Sequence, residues 1–114
     1  MITLETLTDA TAQEVFDQVK NHLLEQNESA LENDKCKYHY NGLKCAAGCL
    51  IADDEYDPII ENRDWADLVD MEYAPTAHVT LIMDLQDIHD NCLINLWKTG
   101  LKEVARQHDL NYEE

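Results

Sequence analysis

TAQEVFDQVKNHLL, residues 11–24, carries the clearest structural instruction in the chain. Thr11 and Glu14 stand at the spacing of a capping box, in which each side chain satisfies a backbone N–H that a helix start leaves open. Val15, Phe16, Val19, His22 and Leu23 then recur at helical intervals, with Leu24 on the flank, and give one apolar stripe. Glu14, Asp17, Lys20 and Glu25 fall mostly on the other side. A helix with a single apolar face has to bury it against other elements.

The rest of the chain supplies them. Val79, Ile82, Leu85, Gln86 and His89 lie along one line, with Leu81 and Ile88 beside them and Thr76 placed to cap the helix start. Leu93 to Gln107 reads as the last helix, with Leu93, Leu96, Trp97, Leu101, Val104 and Ala105 inward. Gly100 weakens it by about 1 kcal/mol relative to Ala, so it marks a kink or a close contact. NRDWADLVDM, residues 62–71, forms a further helix with Trp65, Leu68 and Val69 inward. Residues 27–35 are polar and read as a connection. Asn41-Gly42 is a strong two-residue turn signal, because both residues tolerate positive φ, and Tyr38 and Tyr40 alternate before it. Residues 45–52 are small and apolar and read as a short buried helix, and the final Tyr-Glu-Glu reads as frayed. The expected architecture is mainly α: one globular helical domain over residues 1–114, with four or five helices and a short β-hairpin around residues 36–45.

Composition agrees with a folded domain. Hydrophobic residues make up 45% of the 114, and there are only three Gly and two Pro. Disorder needs low hydrophobicity together with high charge, and only the charge is present. Twenty-four Asp and Glu against eight Lys and Arg give a formal charge of −16. That is about twice the upper end of what solubility asks of a small domain. Such a surface repels nucleic acid and anionic lipid and attracts basic protein. No run approaches the ~18 apolar residues of a membrane span. The N-terminal residues lack the basic and apolar regions of a secretory signal. The expected location is the cytoplasm, where Cys36, Cys45, Cys49 and Cys92 are thiols or metal ligands rather than disulfides.

Two constellations have metal-ligand character. Cys36 and His39 are spaced Cys-x2-His, and Cys45 and Cys49 are spaced Cys-x3-Cys. A hairpin at Asn41-Gly42 would fold the pairs together, and three thiolates with one imidazole suit a closed, structural zinc site. Against this, cysteine also behaves as a small buried hydrophobe. Asp53, Glu55, Asp57, Glu61 and Asp64 stand at offsets 1, 3, 5, 9 and 12, as in a calcium-binding loop. The sharp turn at offset 6 needs Gly, and Pro58 stands there. A solvated acidic loop is the better reading.

Catalytic motifs are absent from the sequence. There is no Gly-rich phosphate loop and no nucleophile elbow, and the lone Ser is Ser29. Adjacent His89 and Asp90 would point apart on a helix. A thiol-dependent enzyme using Cys45 or Cys49 needs a low-pKa thiolate, and acidic surroundings raise a thiol pKa instead.

The charge itself is the remaining candidate. Residues 53–72 hold nine acidic side chains and one basic one, Arg63. Asp64, Asp67 and Asp70 form a ridge at helical spacing, and Asp84, Asp87 and Asp90 repeat it. Carboxylates arrayed on one face can occupy a DNA-binding groove in place of phosphates, since duplex DNA carries one negative charge per ~1.7 Å. The expected contact residues are Asp53, Asp54, Glu55, Asp57, Glu61, Asp64, Asp67 and Asp70.

KCKYHYNGLKCAAGCLIADDEYDP, residues 35–58, resembles a group of small phage and bacterial proteins. In these a Cys-x-Tyr segment precedes Gly-x-Lys-Cys-Ala-x-Gly-Cys-Leu-Ile and an acidic Asp-x-x-Tyr stretch. TAQEVFDQVKNHLL and LIMDLQDIHD, with a Trp following, are similar to the same group, so the resemblance spans most of the chain. It implies a small helical domain of phage-like origin and brings no catalytic residues with it. The expected function is that of a non-enzymatic acidic protein, a candidate DNA mimic without cofactor. It would dock onto and inhibit a basic, nucleic-acid-binding host protein such as a defence factor, touching neither nucleic acid nor membrane. The alternatives are a small domain held by zinc at Cys36, His39, Cys45 and Cys49, and, third, the thiol enzyme.

Overall fold

The computed structural model describes residues 1–113. Both halves of the capping box form: Thr11 Oγ1 accepts from Glu14 N at 3.1 Å, and the Glu14 carboxylate accepts from Thr11 N at 2.8 Å. They start α1 (Ala12–Gln26), which buries Val15, Phe16, Val19 and Leu23 and ends at Asn27 with φ 52°. Three further helices follow: α2 (Trp65–Asp70), α3 (Val79–Asn91) and α4 (Trp97–Gln107). α1, α3 and α4 pack mutually, and α2 leans on α3. Trp65, Trp97 and Phe16 are the largest fully buried side chains of the shared core. The result is the expected mainly α domain.

Two hairpins lie between α1 and α2. The anticipated one pairs β3 (His39–Tyr40) with β4 (Leu43–Lys44) around Asn41-Gly42, at φ 52° and 81°. Before it, β1 (Leu31–Glu32) pairs with β2 (Lys35–Cys36) around Asn33-Asp34, at φ 52° and 66°. The polar composition of residues 27–35 predicts only a connection here. Asn and Asp tolerate the left-handed region well enough to make the turn without Gly. Residues Ala47–Leu50 then form a 3₁₀ turn rather than an α-helix. Gly48 lies directly beneath Tyr38, where an added Cβ would stand 2.1 Å from the Tyr38 carbonyl oxygen.

Three local expectations are corrected. Thr76 does not cap α3: His78 precedes that helix at φ 61°, with no side-chain cap bond. Leu93 and Leu96 face outward, 70% and 49% exposed. The chain runs extended through Cys92 and Leu93 and restarts with a 3₁₀ turn at Ile94–Leu96, so the phase assumed for one continuous helix is lost. The chain end, expected to fray, is strapped to α1 as far as Glu113. Tyr112 sits edge-on to Phe16 with centroids 6.3 Å apart, and Lys20 Nζ donates to the Glu113 carbonyl at 2.6 Å. Glu114 lies outside the described residues. Gly100 is a close contact, its missing Cβ position lying 3.2 Å from Ile88 Cγ1. Among the described residues no helix is long and apolar enough to cross a membrane.

Candidate functional site

The acidic loop is held by its own carboxylates. Glu55 accepts backbone N–H groups from Leu4, Glu5 and Ala52 at 2.9–3.0 Å, clamping the N-terminal segment to the loop. Glu61 accepts from Tyr38 N at 2.9 Å, His39 N at 3.3 Å and the Tyr56 hydroxyl at 2.6 Å. Asp57 caps the 3₁₀ turn Pro58–Ile60 through Ile59 N. Asp64 caps α2 and forms a capping box with Asp67. Asp53 pairs with Lys44 at 3.2 Å. Of the eight predicted contact residues, Glu55 and Glu61 are half-buried, whereas Asp53, Asp54, Asp57, Asp64, Asp67 and Asp70 are exposed.

The four predicted zinc ligands have separate roles. His39 donates through Nε2 to the Gly48 carbonyl at 2.9 Å and stacks on Tyr56 at 4.4 Å. Cys45 is buried and accepts from Gly48 N at 3.2 Å. Cys49 donates to the Ala46 carbonyl at 3.1 Å. Burial pushes the Cys45 thiol well above its usual range and the Cys49 thiol up to about 12. Both stay protonated at neutral pH, which removes the thiolate that a nucleophile needs.

Cys36 belongs elsewhere. Together with His89 and Asp90 it makes the one group of three metal-capable side chains, among the described residues, whose donor atoms lie within 4.8 Å of one another. Neither adjacency nor periodicity announced it. His89 Nδ1 lies 2.8 Å from Asp90 Oδ1, so the side chains expected to diverge converge at the C-terminal turn of α3. His89 Nε2 accepts the backbone N–H of Ala30 at 3.0 Å. That bond fixes the tautomer, because a neutral imidazole has one acceptor nitrogen; Nδ1 carries the proton and donates to Asp90.

Asp90 collects three donors. Burial alone would raise its pKa, but hydrogen bonds from His89, Cys36 and Gln86 hold the carboxyl below its usual value. The Gln86 amide reaches it at 2.6 Å. The Cys36 thiol is pushed up to about 12, first by burial and then by its bond to Asp90 and that carboxylate's charge. Through Asp90 the three side chains form one hydrogen-bonded cluster.

Three depressions meet at Asp90. A cleft of about 220 Å³ is lined by Cys36, Tyr38, Cys45, Asp64, Gln86 and Asp90, among others. A groove between α2 and α3 is lined by Asp64, Trp65, Met83, Gln86, Asp87 and Asp90. The Trp65 indole N–H is buried and lacks an acceptor among the described residues. The third depression, with Asp90 at its edge, is lined by Leu31, Leu93 and Ile94. The ridges of α2 and α3 thus share one groove through Asp64, Asp87 and Asp90, two of which were not among the predicted contact residues. No protein-family model, curated protein or solved structure matches this chain.

Proposed function

We propose that this chain is an acidic binding protein that docks onto a basic surface of another protein and blocks it. The observation that carries this is the α2–α3 groove, where Asp64, Asp87 and Asp90 line one surface. Asp67, Asp70 and Glu72 are exposed on α2 and just after it. Carboxylates on adjoining helices offer a basic partner a charged face, which steers encounter and fixes orientation more than it adds affinity. A partner that normally holds nucleic acid fits this face. A bacterial host factor is the natural target for a chain resembling small phage proteins, and the host cytoplasm is then the place of action.

The test is capture from a bacterial lysate at low salt by the intact protein and by D64N/D67N/D87N. Asn caps helices as well as Asp, so this variant keeps its fold and loses charge. The expected partner elutes with moderate salt, is displaced by duplex DNA and is not held by the variant. A partner retained equally by the variant, or indifferent to DNA and salt, overturns the reading.

A second reading keeps zinc as a stabiliser, moved to Cys36, His89 and Asp90, and rests on the proximity of those donors. Binding through His89 Nδ1 would place a proton on Nε2 against the Ala30 N–H, at a cost of ~1–3 kcal/mol. That is small beside the ~10–16 kcal/mol of structural zinc sites. Metal analysis of the intact protein and of Cys36→Ser decides it: one equivalent of zinc, lost in the variant, supports the site, and none removes it.

A further inference from the structure

We propose that the depression between the β1–β2 hairpin and the α3–α4 link takes an apolar side chain from a basic, amphipathic segment of another protein. Leu31, Leu93 and Ile94 frame it and are 40%, 70% and 39% exposed. Ser29, buried His89, Asp90, half-buried Cys92 and Asn95 complete its lining, and the volume is about 480 Å³. Single exposed aliphatics are ordinary on any protein. Three framing one depression are grouped apolar surface, the feature that marks contact sites when it is extensive. Leu93 is exposed because the chain restarts its helix after Cys92, so the patch is a direct product of the α3–α4 link.

Charge complementarity selects the occupant. Asp90 edges this depression and also lines the α2–α3 groove, so the apolar surface runs into the carboxylates of Asp64 and Asp87. Lys35, on the hairpin, faces Glu32 across the same rung. A second copy of the chain would bring a −16 surface against its equal, and like charges placed together are costly at an interface. A segment with a Leu, Met or Phe anchor followed by Lys or Arg satisfies both ends of the surface. This rests on the basic-partner reading above and adds the anchor that a purely ionic contact lacks. Apolar anchors in pockets carry most of the energy of such interfaces, while rim charges carry rate and orientation.

The experiment uses the intact protein and three labelled 18-residue peptides read by fluorescence anisotropy. One has Leu and Lys at amphipathic helical spacing, one scrambles the same composition, and one has Glu for Lys. The amphipathic Lys peptide is expected to bind, at least ten-fold more tightly than the other two. Leu93→Ser with Ile94→Ser should weaken it at least ten-fold without changing the far-UV spectrum, since both side chains face water. D64N/D87N should weaken it and flatten its salt dependence. Absence of binding, equal binding of the scrambled peptide, or no effect of the double Ser variant overturns the anchor. If binding is then still lost in D64N/D87N, acidic docking survives alone; if neither salt nor D64N/D87N matters, that reading falls as well. Sedimentation showing a dimer that the double Ser variant dissociates would assign the surface to a second copy and overturn the proposal.

Discussion

Glu61 stands at the end of the acidic loop and accepts from three donors: Tyr38 N and His39 N on the preceding hairpin segment, and the Tyr56 hydroxyl within the loop itself. In Glu61→Gln the amide places a donor among these donors. The expected loss is about 2 kcal/mol, a fall in Tm on the order of 10 °C, read by thermal circular dichroism. Asp90 gives a prediction with a pH signature. Its folded pKa lies below the usual carboxylate value, so its contribution to stability is complete above ~pH 4 and is lost as pH falls through the folded value. Asp90→Asn should therefore be less stable than the parent by a constant margin from pH 7 to about 5, narrowing below ~4. Urea titrations across that range measure it, and a margin that widens in acid would contradict the assignment. Neither role was legible in the sequence. Acidic loops are usually solvated, and only the fold shows that Glu55 and Glu61 turn inward. Ala30 and His89 are 59 positions apart, and no local pattern links a hairpin to the distant end of a helix.

At the scale of elements, legibility follows the range of the interaction. The Thr11 capping box and the Asn41-Gly42 turn depend on chemistry within three residues, and both form as read. The Thr76 cap and the inward Leu93 failed because the helix cap falls two residues later, at His78, and Leu93 is extended rather than helical. The 3₁₀ turn at Ala47–Leu50 shows the same limit: its small residues were readable, but the Tyr38 backbone above Gly48 was not. Gly48→Ala places a methyl group against backbone that cannot rotate away. It should cost several kcal/mol, on the order of the worst core substitutions, and leave little folded protein in expression. At the start of α2, Asp64→Ala should cost ~1 kcal/mol and Asp64→Asn almost nothing. Paired urea melts separate the cap from the charge.

For the molecule as a whole, a charge of −16 remains even after every Lys and Arg is set against a carboxylate. Glu32–Lys37, Asp53–Lys44 and Glu103–Arg106 are among the described pairs, and all three involve a partner at the surface. Surface pairs contribute at most ~1 kcal/mol each, while unbalanced carboxylates repel through water over a Debye length of ~10 Å at 0.1 M salt. Raising NaCl from 10 to about 300 mM should therefore raise Tm by several degrees, and a Tm that falls would mean the pairs outweigh the repulsion. The excess charge was legible from composition, but the meeting of Asp64, Asp87 and Asp90 in one groove was not, because it depends on how α2 leans on α3.

The strap has a consequence for the order of folding. Lys20 and the Glu113 carbonyl are 93 positions apart, and closing a long loop costs more entropy than closing a short one. Tyr112 should therefore seat on Phe16 late in refolding, after α1 has met α3 and α4, so that a fluorophore beside it would light up last.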